Sequence, residues 1–304
     1  MSEISLATKV GSVALRSPIL TAAGTAGFGV ELAGYGDLSR LGAFVTKSLS
    51  TFAWPGNPAP RITSVGEHLL NSVGLAGPGV AAWRRDYEPA LIAAGVSVVT
   101  SIWGRSAQEF AAAADALADS SSIALEVNAS CPNLEDRSTM FAHSPEATAA
   151  LVRATVNAKR PVWVKLSPNT PDLVAIATAA VDAGAQAVVL VNTVLGLAID
   201  VEQRRPVLGG IGGGVSGPGI HPVALRAVYD VRRALPEVPI VGVGGIRCGE
   251  DAVAMMMAGA NAVEVGTAIF ASPRAPWRIQ REVVDWLSSH GVNSVREIIG
   301  AAHG

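Results

Sequence analysis

Three stretches decide the fold: IALEVN at residues 123–128, SPEATAALVRATVNA at 144–158 and VWVKL at 162–166. The first and third are continuous apolar runs, which are typical of strands buried on both faces of a parallel sheet. The middle stretch predicts a helix, with Ser144 as its N-cap and Pro145 at its first helical position. Together they predict one strand–helix–strand unit.

The same pattern recurs along the chain. Strands are predicted at residues 18–22, 43–46, 96–102, 123–128, 162–166, 187–192, 239–243 and 262–265, and further helices at 106–119 and 222–235. Eight parallel strands with intervening helices predict a (β/α)8 barrel, and an open doubly wound sheet is the alternative. We expect a single domain over residues 1–304, because no Pro/Ser-rich linker or block of charge divides the chain.

Composition excludes several classes of protein. With 49% hydrophobic residues, the chain is neither disordered nor fibrous. The net charge is −2 and no basic run exceeds two residues, so nucleic acid is not an expected partner. The N-terminus lacks the pattern of a signal peptide, and no stretch has the roughly 20 clean apolar residues of a membrane span. We therefore expect a soluble, cytoplasmic protein without a membrane partner.

Polar residues cluster where the predicted strands end. Lys47 follows the second strand, Asn128 ends the fourth, Lys165 lies in the fifth, and Asn192-Thr193 follows the sixth. A lysine at the end of a buried strand is costly unless it meets an anion or a cofactor, and a salt bridge with a neighbouring acid is the alternative. Two such lysines among asparagines favour an anionic ligand that forms hydrogen bonds.

Glycine clusters follow the last two strands, at Gly244-Gly245 and at Gly266, and a third covers residues 212–217. Glycines let backbone N–H groups approach a phosphate, and the loops after strands seven and eight are the usual phosphate site of such barrels. The segments 48–80, 129–144 and 193–221 are too long for minimal connectors, so we expect them to be functional. The clusters predict the phosphate of a flavin mononucleotide or a sugar phosphate.

Cys131 directly follows the fourth strand, in a polar segment. It could be a nucleophile or an acid/base group, although a lone cysteine is more often a small buried hydrophobe. No histidine forms a recognisable triad or metal-binding spacing with it. A thiol acting alone as a proton acceptor fits the removal of a proton from carbon while a hydride leaves to a flavin. Cys248 is assigned no role.

Five motifs together resemble the class 1 dihydroorotate dehydrogenases, in order from about residue 18 to 270. They are T-K-S at 46–48, N-S-V-G-L at 71–75, N-A-S-C-P-N at 128–133, V-K-L-S-P-N at 164–169 and V-N-T at 191–193. The fourth and fifth are closer to class 1B than to class 1A. The resemblance implies an FMN enzyme that oxidises (S)-dihydroorotate to orotate in pyrimidine biosynthesis.

The resemblance also implies roles for residues of this chain. Cys131 would remove the C5 proton while a hydride passes from C6 to flavin N5. Independently of the resemblance, the polar composition of the segment 131–144 predicts that it is mobile and folds over the substrate. The residues expected to line the pyrimidine are Lys47, Asn71, Ser72, Val73, Gly74, Leu75, Asn128, Asn133, Asn192 and Thr193. Those expected to contact FMN are Ala23, Lys47, Ser48, Ser101, Asn128, Lys165, Val191, Gly217, Gly244, Gly245, Gly266 and Thr267.

The chain departs from the class 1B pattern at three places. Ser101 stands where an asparagine is usual, Ala23 replaces a common serine, and Ala76-Gly77 replaces a glutamine or asparagine. We expect these changes to affect flavin affinity and redox tuning rather than the type of reaction. The resemblance further implies a homodimer and a second subunit that carries FAD and an iron–sulfur cluster. With only two cysteines in this chain, such a cluster must lie on another polypeptide.

Three other functions are alternatives to this one. The first is an FMN-dependent enzyme that acts on another dihydropyrimidine, such as the related dihydropyrimidine dehydrogenase domain. The second is a flavin-binding or scaffold subunit without turnover. The third is a sugar-phosphate aldolase or isomerase that uses Lys165 as a Schiff-base amine, which predicts a colourless protein rather than a yellow one.

Overall fold

The structure, a computed structural model, describes residues 4–130 and 140–304. Cys131 and Asn133 lie outside the described residues, as does most of the segment 131–144.

The strands of the described chain are numbered in sequence order. They are β1 (Thr8–Val10), β2 (Val13–Leu15), β3 (Ile19–Thr21), β4 (Phe44–Val45), β5 (Ile62–Val65), β6 (His68–Asn71), β7 (Val98–Ile102), β8 (Ser122–Asn128), β9 (Val162–Leu166), β10 (Ala187–Leu190), β11 (Val194–Gly196), β12 (Ile199–Asp200), β13 (Arg205–Pro206), β14 (Gly213–Ser216), β15 (Ile240–Val243) and β16 (Ala262–Val265).

The α-helices are numbered in the same way. They are α1 (Val80–Asp86), α2 (Glu88–Ala93), α3 (Ala107–Asp115), α4 (Pro145–Thr155), α5 (Leu173–Asp182), α6 (His221–Ala234), α7 (Gly249–Met257), α8 (Ala268–Ala271) and α9 (Ala275–Ser289). Short 3-10 helices lie at Leu38–Arg40, Phe141–His143, Pro218–Ile220, Val295–Glu297 and Ala301–His303. In the described part of the chain, every helix is too short or too polar to cross a lipid bilayer.

Eight of these strands form a parallel barrel in the order β3–β4–β7–β8–β9–β10–β15–β16. The ring is completed between β3 and β4, where Thr21 N donates to Ala43 O over 3.3 Å and Gly42 N donates to Ile19 O over 2.8 Å. The predicted (β/α)8 barrel is therefore confirmed, and the open sheet is wrong. Seven of the eight barrel strands lie within their predicted runs, and β8 begins one residue before its run. β9 and β16 have the predicted bounds.

The predicted helices form with small changes at their ends. Ser144 caps α4, because its Oγ accepts a hydrogen bond from Ala147 N over 3.2 Å. The helix predicted at 106–119 ends at Asp115, where α3 passes into turns. The third predicted helix is α6, one residue displaced from the predicted 222–235.

Side chains alternate along the barrel strands, so the core has two layers. Ile19, Phe44 and Val188 belong to the layer between the barrel and the helices. Leu20 and Val189, their neighbours in sequence, belong to a second cluster that fills the barrel interior. Apolar side chains therefore pack on both faces of each strand, which explains why these strands are continuous apolar runs.

The long segments 48–80 and 193–221 carry strands of their own, which the sequence did not predict. The hairpin β5–β6 pairs with β14 and β11 to form an antiparallel sheet in the order β11–β14–β6–β5. Asn71 of the first segment pairs with Gly214 of the second. A Cβ atom at position 214 would overlap Thr193 Oγ1, so glycine permits this close approach. The sheet therefore brings together the two segments that follow β4 and β10.

Candidate active site

A cavity of about 730 Å³ lies where the C-terminal ends of the barrel strands meet this antiparallel sheet. Its lining includes Asn128 at the end of β8 and Lys165 in β9, together with Leu69 and Asn71 of β6 and Ser216 of β14. In a (β/α)8 barrel this face carries the active site. The cavity is therefore the candidate site.

Nearly all predicted site residues that the structure describes line this cavity. From the predicted pyrimidine set these are Lys47, Asn71, Ser72, Val73, Gly74, Leu75, Asn128, Asn192 and Thr193. From the predicted flavin set they are Ala23, Lys47, Ser48, Asn128, Lys165, Val191, Gly217, Gly244, Gly245, Gly266 and Thr267. Ser101 is fully buried and lies behind Ser48, outside the lining. Cys131 and Asn133 lie outside the described residues.

Amide side chains form a connected polar edge. Asn192 Nδ2 donates to Asn128 Oδ1 over 3.4 Å, and Asn128 Nδ2 donates to Ser48 Oγ over 3.3 Å. The Ser48 and Ser101 hydroxyls share a further hydrogen bond of 2.9 Å. An amide has two N–H donors and an acceptor oxygen with two lone pairs, so these asparagines keep capacity for a planar ligand with amide-like edges.

The turns after β15 and β16 form a second part of the cavity wall, which consists of backbone atoms rather than amide side chains. Gly244 and Gly245 have φ of +137° and +67°, and a Cβ at Gly245 would lie 2.6 Å from His221 Cβ. Within the described residues, the N–H groups of Gly245, Ile246 and Thr267 donate to no protein acceptor. Backbone N–H groups directed at a cavity bind phosphate well. This surface can therefore hold an anion.

Lys165 also lines the cavity and is 5% exposed. Its Nζ donates to Glu264 Oε2 over 2.8 Å and lies 3.8 Å from Glu126 Oε1. Burial works to lower the pKa of Lys165, but the charges of Glu126 and Glu264 outweigh it, and the pKa is raised. The salt bridge that was the alternative for this lysine is present, and the same side chain also lines the cavity.

Several cavity or neighbouring residues were not predicted. Glu126 and Glu264 carry a signal that could have revealed them, because each is a lone charge inside an apolar strand. Trp54 and Trp103 line the cavity, with ring centroids 6.2 Å apart in an edge-to-face contact. Nothing in their sequence context distinguishes them from core aromatics. Asn57 also lines the cavity and holds the 71–75 turn, because its Nδ2 donates to Ser72 Oγ over 2.9 Å.

Comparison with known proteins identifies the family. The family model for dihydroorotate dehydrogenase matches residues 5–287. A protein of Pelobacter propionicus is 43% identical over 298 residues, covering 97% of this chain and 98% of its own length. A protein of Desulforudis audaxviator is 44% identical over 303 residues, covering 99% and 98%. Both carry the name dihydroorotate dehydrogenase B (NAD(+)), catalytic subunit.

A third relative, from Geobacter sp. strain M21, has the same name and is 42% identical over 303 residues, covering 99% of both chains. The family match spans the whole barrel from β1 to α9, and the relatives align along almost the full length. The chain therefore belongs to the dihydroorotate dehydrogenase family, whose members are oxidoreductases.

Proposed function

We propose that this chain binds FMN in the cavity and oxidises (S)-dihydroorotate to orotate, as the catalytic subunit of a class 1B dihydroorotate dehydrogenase. One observation carries the proposal. A single cavity is lined by the backbone of the turns after β15 and β16, by the buried lysine of β9, and by several asparagine side chains together with Lys47. These are the groups that a flavin phosphate, a flavin ring and a planar pyrimidine carboxylate require.

The cavity fits FMN by its donors and its size. The N–H groups of Gly245, Ile246 and Thr267 provide donors for the phosphate. The volume of about 730 Å³ is within the range of cofactor and ligand sites. Lys165 would place positive charge beside the ring system, where charge tunes the electronics of a flavin. When bound, FMN supplies the acceptor for the substrate hydride.

Lys47 and the asparagines would bind and orient the substrate. Orotate is a flat anion, and a lysine ammonium forms a charge-assisted hydrogen bond with a carboxylate. Asn71, Asn128 and Asn192 line the cavity and offer both donors and acceptors to the amide edges of the ring. The need for a cation distinguishes dihydroorotate from a dihydropyrimidine that lacks a carboxylate.

Cys131 is the proposed base for the C5 proton, by resemblance to the family. The residue before it, Ser130, lines the cavity. A thiol has an ordinary pKa of about 8.5, so it can exchange a proton near neutral pH without extreme tuning. Asn133 is proposed as a further contact to the pyrimidine on the same ground.

The names of the relatives support a partner. Because they are named as catalytic subunits of NAD(+) enzymes, we propose that this chain passes electrons to a second subunit that holds FAD and an iron–sulfur cluster. Residues 1–304 are proposed to form one domain, to pair as a homodimer and to act in the cytoplasm, as expected from the sequence and the family.

The proposal is tested by mixing the purified protein with dihydroorotate under anaerobic conditions while the flavin absorbance is followed. Prompt bleaching is the expected result, and it reports cofactor, substrate and half-reaction together. A yellow protein that bleaches with another dihydropyrimidine but not with dihydroorotate would contradict the substrate. A colourless protein that cannot be reconstituted with FMN would contradict the cofactor and the function.

A further inference from the structure

Three charged side chains are buried inside the barrel, close to the apolar cluster that fills much of its interior. Glu126 of β8 and Glu264 of β16 are 0% exposed, and Lys165 of β9 reaches both. Among the described residues, the other buried charged side chain is Glu88 of α2, which is outside the barrel and bonds to Ser121 N. The glutamates do not line the cavity, whereas Lys165 does.

Among the described residues, Lys165 is the one cation that forms a salt bridge with Glu126 or Glu264. Much of the barrel interior is filled by apolar side chains. They include Leu20, Val45, Val99, Trp163, Val189 and Val241. The remaining charged residues that line the cavity are Lys47, Glu67, Arg247 and Arg278, none of them within a barrel strand. The two carboxyls and the ammonium must therefore balance one another, because an unpaired buried charge is strongly destabilising.

The three groups balance only if the two carboxyls retain one proton. One ammonium and two carboxylates would leave a net negative charge on three buried side chains. Neither oxygen of Glu126 has a hydrogen-bond partner by geometry, and neither has Glu264 Oε1, within the described chain. Burial, followed by the charge of Glu126, raises the pKa of Glu264 well above its usual value. A proton on Glu264 would leave the three side chains without a net charge.

We propose that Glu126 and Glu264 are positioning residues that hold the Lys165 ammonium beneath the cavity and so set the redox potential of the flavin bound there. The inference rests on the proposed binding of FMN. Lys165 is the one member of the cluster that lines the cavity, so the charge presented to a ligand is the lysine charge reduced by its buried partners.

Charge balance predicts different results for single and double substitutions. In Glu126→Gln or Glu264→Gln, the remaining carboxyl loses its like-charged neighbour and ionises against Lys165, so the cluster stays neutral. In the double variant the ammonium has no counter-charge. Uncompensated positive charge favours the more negative, reduced form of the flavin, so its potential rises.

The experiment measures the potential of bound FMN at about pH 6 in the wild type, both single variants, the double variant and Glu88→Gln. The double variant is expected to shift the two-electron equilibrium at least tenfold toward reduction, which is about 30 mV. Each single variant is expected to shift it by less than half as much, and Glu88→Gln not at all. Equal potentials in the double variant and the wild type, or an equal shift in Glu88→Gln, would overturn the inference.

A second measurement does not depend on the double variant. Infrared spectra of the protein without flavin at neutral pH are expected to contain the carbonyl band of a protonated carboxylic acid. The band disappears in Glu126→Gln and in Glu264→Gln and persists in Glu88→Gln. A band that survives in both single variants would contradict the shared proton. Protein that binds no FMN would overturn the proposed function. Protein that binds FMN with the same potential in the wild type and the double variant would overturn this inference alone.

Discussion

Ser48 and Ser101 share a hydrogen bond of 2.9 Å between their hydroxyl oxygens, which joins the segment after β4 to β7. Ser48 also accepts from Asn128 Nδ2, and Ser101 N donates to Thr46 Oγ1 over 3.1 Å. The polar wall of the cavity therefore has a layer of hydrogen bonds behind it. Ser101 therefore contacts Ser48 and does not itself line the cavity.

Ser101→Ala is expected to weaken FMN binding by roughly fivefold. The change removes one buried hydrogen bond, worth about 1 kcal/mol, from the hydroxyl of Ser48, a residue that lines the cavity. Flavin fluorescence during titration of the apoprotein measures the dissociation constant. The control is Ser122→Ala, which removes a buried hydroxyl bonded to Thr100 over 2.6 Å, outside the cavity lining. Equal loss of FMN affinity in the two variants would show that the effect comes from weaker packing of the barrel and not from the hydrogen bond to Ser48.

Lys47→Met is expected to weaken orotate binding at least about tenfold while uracil, which lacks the carboxylate, is affected about twofold or less. A hydrogen bond to a charged group contributes about 1.5–3 kcal/mol, and each 1.4 kcal/mol is a factor of ten in affinity. Perturbation of the flavin spectrum reports both ligands in protein loaded with FMN. The control is Lys9→Met, on the exposed side of β1. If both ligands weakened equally, Lys47 would not be the carboxylate partner.

Cys131→Ser is expected to retain FMN and orotate binding but to slow flavin reduction by dihydroorotate at least about a hundredfold, because a general base contributes that much or more. Stopped-flow absorbance under anaerobic conditions measures the rate. The matched control is Cys248→Ser, at the start of α7 and half-buried. Wild-type reduction in the Cys131 variant would assign proton removal to another group.

The sequence predicted the barrel well because each of its strands is a continuous apolar run whose pattern does not depend on distant partners. The pairing of β6 with β14 was not predictable, since these strands are short and half-exposed, and their register depends on a contact between Asn71 and Gly214. Strand preference is decided by such tertiary context.

The same distinction applies to the site. Motifs at strand ends could be placed on one face, because the C-terminal ends of parallel strands converge. The partner of Lys165 could not be chosen from sequence, because Glu264 is 99 residues away and becomes a neighbour only when β16 and β9 lie in one ring. Ser101 was expected to contact the flavin, but it lies behind Ser48 and does not line the cavity. No motif indicates which of two neighbouring serine side chains extends to the cavity.

Gly74→Ala is expected to weaken orotate binding at least about tenfold with FMN retained. Gly74 has φ of +72°, where alanine is strained, and its added Cβ would lie 2.5 Å from the backbone N of Asn57. The 71–75 turn would then move away from the cavity. The control is Gly95→Ala, which has a similar φ of +65° but meets no atom within 4 Å. A similar loss of orotate affinity in both would show that strain alone is responsible.

The buried carboxyl pair also predicts how stability depends on pH. The pKa of Glu264 is raised in the folded protein, chiefly by burial, so the folded state binds more protons than the unfolded chain above about pH 4.3. The stabilising contribution of the protonated side chain is complete below that pH and is lost as the pH rises. The wild type is therefore expected to lose free energy of unfolding relative to Glu264→Gln between about pH 5 and pH 8.

Urea unfolding of both proteins at several pH values, with excess FMN throughout, measures this difference. Glu109→Gln provides a control of opposite sign, because a hydrogen bond from Arg105 lowers the pKa of Glu109. Its contribution is present above about pH 4.3 and is lost only toward acid, so the Glu109 difference stays flat across the range in which the Glu264 difference falls. A flat Glu264 difference over the same range would contradict the raised pKa of Glu264.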